Sequence, residues 1–212
     1  MTLTSMVLVA AAVVALAAFL VQGLRRGFVE VPALLAPARG SARSGVLYAF
    51  TLAFAPSAKE SASRHLPTYL AGVLYHLAIF TALARLAAST VPLLLPAALD
   101  AITAGILAVG LACGFALLSK RTMDARLRGI SVPDDFLANL FVDATLAGGL
   151  AASLNPAFVP LFQLIGALLL LYAPLGKLRH MLFLLTSRRW SGAYFGRRGV
   201  RPTPHSLERH RG

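Results

Sequence analysis

The sequence predicts an all-α, polytopic membrane protein: a bundle of five transmembrane helices, with the N-terminus outside and the C-terminus inside. Three observations predict it. Of 212 residues, 58% are hydrophobic and only 13% charged, for a mean hydropathy of +0.73, a balance that excludes an ordinary soluble domain. The apolar residues gather into segments long enough to cross a bilayer at about 1.5 Å per residue. The basic residues behind the net charge of +12 fall in alternate connectors, as the positive-inside rule expects of a cytoplasmic face. In a soluble protein that charge would suggest nucleic acid; beside a bilayer no nucleic-acid partner is expected.

Residues 5–23 form the first span. No Lys or Arg precedes them, while Arg25 and Arg26 follow at once, so the segment reads as a retained helix with its N-terminus outside rather than as a secretory signal. The connector 24–65 carries Arg25, Arg26, Arg39, Arg43, Lys59 and Arg64 against Glu30 and Glu60 and is placed in the cytoplasm. Within it, Val46–Pro56 is apolar but too short to span, and is read as an interfacial or re-entrant helix.

The second span is residues 67–88, opened by Pro67, whose missing N–H costs nothing in a first helical turn. Val91 to Pro96 make a turn without charge. The third span, 97–119, returns the chain to a loop rich in Lys120, Arg121, Arg126 and Arg128. Residues 136–154 form the fourth span, where Gly148 and Gly149 admit the close approach of a neighbouring helix or a flat cofactor. Asn155-Pro156 turns the chain into a fifth span, 157–186, closed by Arg188 and Arg189. Residues 1–187 thus make one membrane domain, and 188–212 a basic cytoplasmic tail that mixes arginines with Trp190, Tyr194 and Phe195. Such a tail suits anchoring to anionic lipid or docking of a soluble subunit. There is no internal repeat of the kind that marks many transporters.

Ionisable residues inside apolar spans are functional candidates, because lipid makes them costly. Two histidines qualify, His76 and His180, whereas His205 and His210 lie in the hydrophilic tail. His180 lies about 12 Å before Arg188 and His76 about 18 Å beyond Arg64 at the helical rise per residue, depths that a helix tilt reconciles. Two imidazoles on different helices suggest axial ligation of one haem, with Lys177 or Arg179 meeting a propionate. Lys177 and Arg179 diverge by about 200° on a helix, so only one of them can do so. His65, eleven residues before His76, returns to nearly the same helix face and is the runner-up ligand or a propionate contact. Arg85 reads as snorkelling to the headgroups. Asp143, alone among carboxylates well inside a span, is neutral, paired with a cation, or a proton carrier for quinone chemistry, against the plainer reading of a protonated or hydrogen-bonded structural aspartate. The single Cys113 allows neither an intrachain disulfide nor a cysteine cluster, so any iron–sulfur centre belongs to a partner.

The phrases Gly72-Val-Leu-Tyr-His-Leu-Ala-Ile-Phe80 and Gly176-Lys-Leu-Arg-His180, in five spans, resemble the gamma subunit of respiratory nitrate reductase and its relatives. Those relatives are the membrane cytochrome b subunits of sulfite-reduction-associated and heterodisulfide-reductase-like complexes. The resemblance covers most of the chain as topology but only these two phrases as motif. It implies a haem b held by His76 and His180, electron transfer between the quinone pool and a cytoplasmic iron–sulfur subunit, and a bacterial inner membrane as location. It also implies a single haem, since Leu86 stands where the family carries a further histidine. From the residues alone two other readings stay open: a haem-free membrane anchor, and a small proton-linked transporter using Asp143 and His180.

Overall fold

The computed structural model describes residues 2–27, 37–58, 60–91 and 97–200. Every regular element among them is helical. In chain order these are α1 (Leu3–Gly27), α2 (Ala42–Phe50), α3 (Glu60–Arg64), α4 (Leu66–Ala88), α5 (Ala97–Met123), α6 (Ala125–Gly129), α7 (Pro133–Leu154), α8 (Val159–Tyr172) and α9 (His180–Arg197), with short 3-10 turns between some of them. Four helices, α1, α4, α5 and α7, are each long and apolar enough to cross a membrane. Broken between them, α8 and α9 supply a fifth span only when counted together.

The chain divides into two compact units: Met1–Gln22 with Pro67–Arg179, and Gly23–Leu66 with His180–Gly212. Pro174 and Gly176 lie between α8 and α9. A proline cannot donate the backbone hydrogen bond that would carry α8 onward, and the helical run ends at Tyr172, with turns at residues 173–176. The straight fifth span 157–186 is therefore two shorter helices.

In the first unit, polar contacts at the helix ends fix an up-and-down order. Thr4 at the start of α1 donates to Gln163 Oε1 near the start of α8 (2.6 Å), and Gln163 Nε2 donates to Ser89 O just past α4 (2.9 Å). At the other end, Gln22 Nε2 donates to Pro174 O (2.9 Å), Lys120 Nζ to Thr68 Oγ1 (2.7 Å), and Arg121 lies 3.6 Å from Asp135. The core runs along Tyr75, Ala78 and Ala82 of α4, Leu107 of α5, and Val142 and Leu146 of α7. Small residues let the backbones close up, as helices in lipid require in the absence of a hydrophobic drive between them. A Cβ on Gly110 would sit 2.0 Å from the Ala78 Cβ. Gly148 and Gly149 are filled by a neighbouring helix, with Ile165 and the buried Phe162 of α8 against them. Large apolar side chains point outward instead, among them Val13, Leu16 and Phe80 at 61%, 70% and 65% exposure. Such an exterior is compatible with lipid and would be a liability in water.

The second unit is built on α2 and α9. A Cβ on Gly45 would lie 2.1 Å from Gly192 O and 2.5 Å from Gly196 Cα, and one on Gly196 would lie 2.5 Å from Ser41 O. The spacing Gly192-x-x-x-Gly196 is the small-residue seam that admits a second backbone. Main-chain bonds from Arg39 N and Gly40 N to Arg197 O (2.8 and 3.0 Å) clamp the end of the pair. Past Arg197, Gly199 takes a positive φ of 66° and Val200 N bonds Phe195 O, a left-handed cap that terminates α9. Arg188 and Arg189 do not close a helix: α9 runs through them for two more turns, because residues 188–197 contain no proline and the glycines are compensated by α2. The segment Val46–Pro56 is a helix over its first part only, followed by 3-10 turns at Leu52–Phe54 and Pro56–Ala58.

Candidate functional site

His76 sits midway along α4 on the exterior of the first unit. Its Nδ1 lies 2.7 Å from Gly72 O, one turn back. A carbonyl oxygen can only accept, so Nδ1 is the donor in this contact. Histidines that ligate metals are oriented in this way, by a bond from the second ring nitrogen to a carbonyl or carboxylate. A single imidazole held in this way has the orientation that an axial ligand would need.

What aims His76 is the residue before it. Tyr75 points into the core, and its hydroxyl donates to Asp143 Oδ1 at 2.7 Å. Asn139, one turn before Asp143 on α7, donates from Nδ2 to Asp143 Oδ2 at 2.6 Å and lies 3.4 Å from the Tyr75 hydroxyl. Both carboxyl oxygens thus meet neutral donors. Gly114 of α5 makes the room: a Cβ there would stand 2.1 Å from Asp143 Oδ1 and 2.6 Å from the Tyr75 ring. Three helices converge on this triad, and the rotation of α4 is locked by it. Adjacent residues on a helix are turned by about 100°, so anchoring Tyr75 inward directs His76 outward; the two rings meet edge to face, with centroids 6.4 Å apart.

The other candidate haem contacts singled out from sequence lie outside α4. His180 begins α9 in the second unit, and His65 lies at the single turn residue between α3 and α4. Lys177 donates to Asp135 Oδ1, which is buried and also faces Arg121. Arg179 Nε donates to Gly176 O at 3.2 Å. Arg85 does not snorkel alone: it pairs with Asp100 at 3.3 Å, both partly buried. Leu86, at the position where the nitrate reductase gamma family carries a histidine, packs against Gly166 in the core. His205 and His210 lie outside the described residues. Among the described residues no group of three or more His, Cys, Asp or Glu side chains is gathered as a metal site.

Sequence reasoning missed Asn139, Tyr75 and Gln163. Each had a signal. Asn139 precedes Asp143 by four residues, the spacing that stacks two side chains on one helix face, and Gln163 is a lone amide in an apolar segment, now 2% exposed and bound to α1 and α4. Compared with family models, with curated proteins and with solved structures, the chain matches none.

Proposed function

We propose that this multi-pass membrane protein is a b-type cytochrome subunit, carrying one haem b with His76 and His180 as axial ligands. It would pass electrons between the quinone pool and an iron–sulfur subunit docked on the cytoplasmic side, in the inner membrane of a bacterium. The observation that supports it is the Nδ1 contact of His76 with Gly72 O, which orients an imidazole on an exterior face of an apolar helix. His180 is taken as the second ligand on sequence grounds alone, from its place in an apolar segment and its phrase. A bound haem would supply one-electron transfer. The chain would supply the rest: imidazole orientation through Gly72 and Tyr75, and exclusion of water by the apolar helices. Lys120 and Arg121 stand in the last turn of α5, and Arg126 and Arg128 on α6 just after it. If that end faces the cytoplasm, they form a basic surface that would steer an acidic partner, an effect that weakens with salt. The resemblance to the nitrate reductase gamma subunit supports the same reading through two phrases only.

A visible spectrum of the purified protein tests this. A reduced b-type band is expected; its absence after expression in a host supplied with haem leaves a haem-free membrane anchor as the better reading.

A further inference from the structure

The second unit contains a cleft of about 500 Å³ between α2, the 3-10 turns that follow it, and α9. That volume lies within the range of small-molecule sites. One face of α9 lines it, through Leu184, Ser187, Arg188, Ser191 and Phe195, and Tyr48 of α2 stands opposite. The polar residues occupy the middle of that face, and Leu184 and Phe195 stand at its two ends.

Arg188 is held in place. Its guanidinium donates to Ala49 O and stacks on the Phe54 ring, with Cζ 3.8 Å from the centroid. A guanidinium carries five N–H donors in a fixed fork that matches a phosphate, and the bond to Ala49 O does not use them up. Ser191 and Ser187 sit one turn apart beside it, with Ser191 Oγ 3.4 Å from Arg188 O. The charge around the cleft is mostly basic, with Glu60 at the start of α3 two residues past Ala58. Residues 37–58 and 180–200 contain Arg39, Arg43, Arg188, Arg189, Arg197 and Arg198 and no Asp or Glu. A concave, mostly basic site with a preordered arginine concentrates anions.

We infer that this cleft binds a phosphate-bearing anion through Arg188, Ser187 and Ser191. The apolar ends of the α9 face suit a lipid phosphodiester whose glycerol and upper acyl chain lie on Leu184 or Phe195; a free phosphate shares the same chemistry at the arginine. The inference is independent of the haem proposal, because no residue of it ligates iron.

Native mass spectrometry of the full chain in detergent, titrated with dioctanoyl phosphatidylglycerol, dioctanoyl phosphatidylcholine or inorganic phosphate, tests it. One saturable phosphatidylglycerol per chain is expected, with the zwitterionic lipid bound about tenfold more weakly. Arg188→Gln should weaken binding about tenfold or more, the usual effect of losing a charge-assisted hydrogen bond. Ser191→Leu, which fills the cleft at an exposed position and leaves Arg188 in place, should do the same, and it decides alone if Arg188→Gln fails to fold. Displacement of the lipid by millimolar inorganic phosphate identifies free phosphate as the ligand; persistence of the lipid identifies the headgroup. Equal binding of phosphatidylglycerol by the parent and Ser191→Leu, or no saturable binding by the parent, overturns the assignment.

Discussion

The Tyr75 hydroxyl lies 2.7 Å from Asp143 Oδ1, and this bond between α4 and α7 sets which way the next residue on α4, His76, faces. The two residues are 68 positions apart in sequence. Their contact exists because Gly114 leaves no side chain between them.

Tyr75→Phe should therefore cost about 1 kcal/mol, since interhelical hydrogen bonds in membranes average near 0.6 and reach about 2. The hydroxyl is lost while Asn139 continues to hold Asp143. Unfolding in mixed micelles with increasing denaturing detergent measures it, and an unchanged midpoint would show that the bond carries no stability.

Gly114→Ala should cost more, about 1–3 kcal/mol, as an overpacked core. The new methyl meets Asp143 and Tyr75 at less than van der Waals distance. Combined with Asp143→Ala, part of the loss should return, because residues in contact do not contribute additively. Additive losses in the double variant would mean that the methyl is accommodated elsewhere.

The sequence shows most of the first unit and little of the second, for a physical reason. Helices α1, α4, α5 and α7 are selected by lipid, which demands a long apolar run, and their observed limits lie within four residues of those expected. Helix α9 is selected by contact with α2 through Gly45, Gly192 and Gly196, a nonlocal relation that composition does not carry, so its arginine-rich second half reads as a tail. Pro174 and Gly176 did signal the break before α9, but the apolar residues on both sides masked it. In the candidate site, His76 was legible as an imidazole in an apolar helix. The triad that orients it was legible only in part: Asn139 shares a helix face with Asp143 by its spacing, but Tyr75 of α4 meets Asp143 only because Gly114 leaves room.

Replacing Gly192 or Gly196 by Val should separate α2 from α9, because the added side chain meets the main chain of residues 41–46. Limited trypsin digestion at Arg43, which lies on α2, reads this directly. Faster cleavage in either variant is expected; an unchanged rate would mean that the glycine seam does not hold the pair together.

Asp135→Asn removes the carboxylate that Lys177 and Arg121 share. Both cations are more than one-third exposed, so solvent screens the pair and the loss should be about 1 kcal/mol. The difference between parent and variant should shrink in high salt. A difference independent of salt would indicate a packing effect instead.

Haem content per chain, measured by pyridine haemochrome on the purified parent and on His76→Ala, His180→Ala, His205→Ala and His210→Ala, tests the proposed cytochrome most directly. One haem per chain is expected in the parent and in the two tail variants, and none in His76→Ala or His180→Ala. A parent without haem, or full haem in both His76→Ala and His180→Ala, would contradict it.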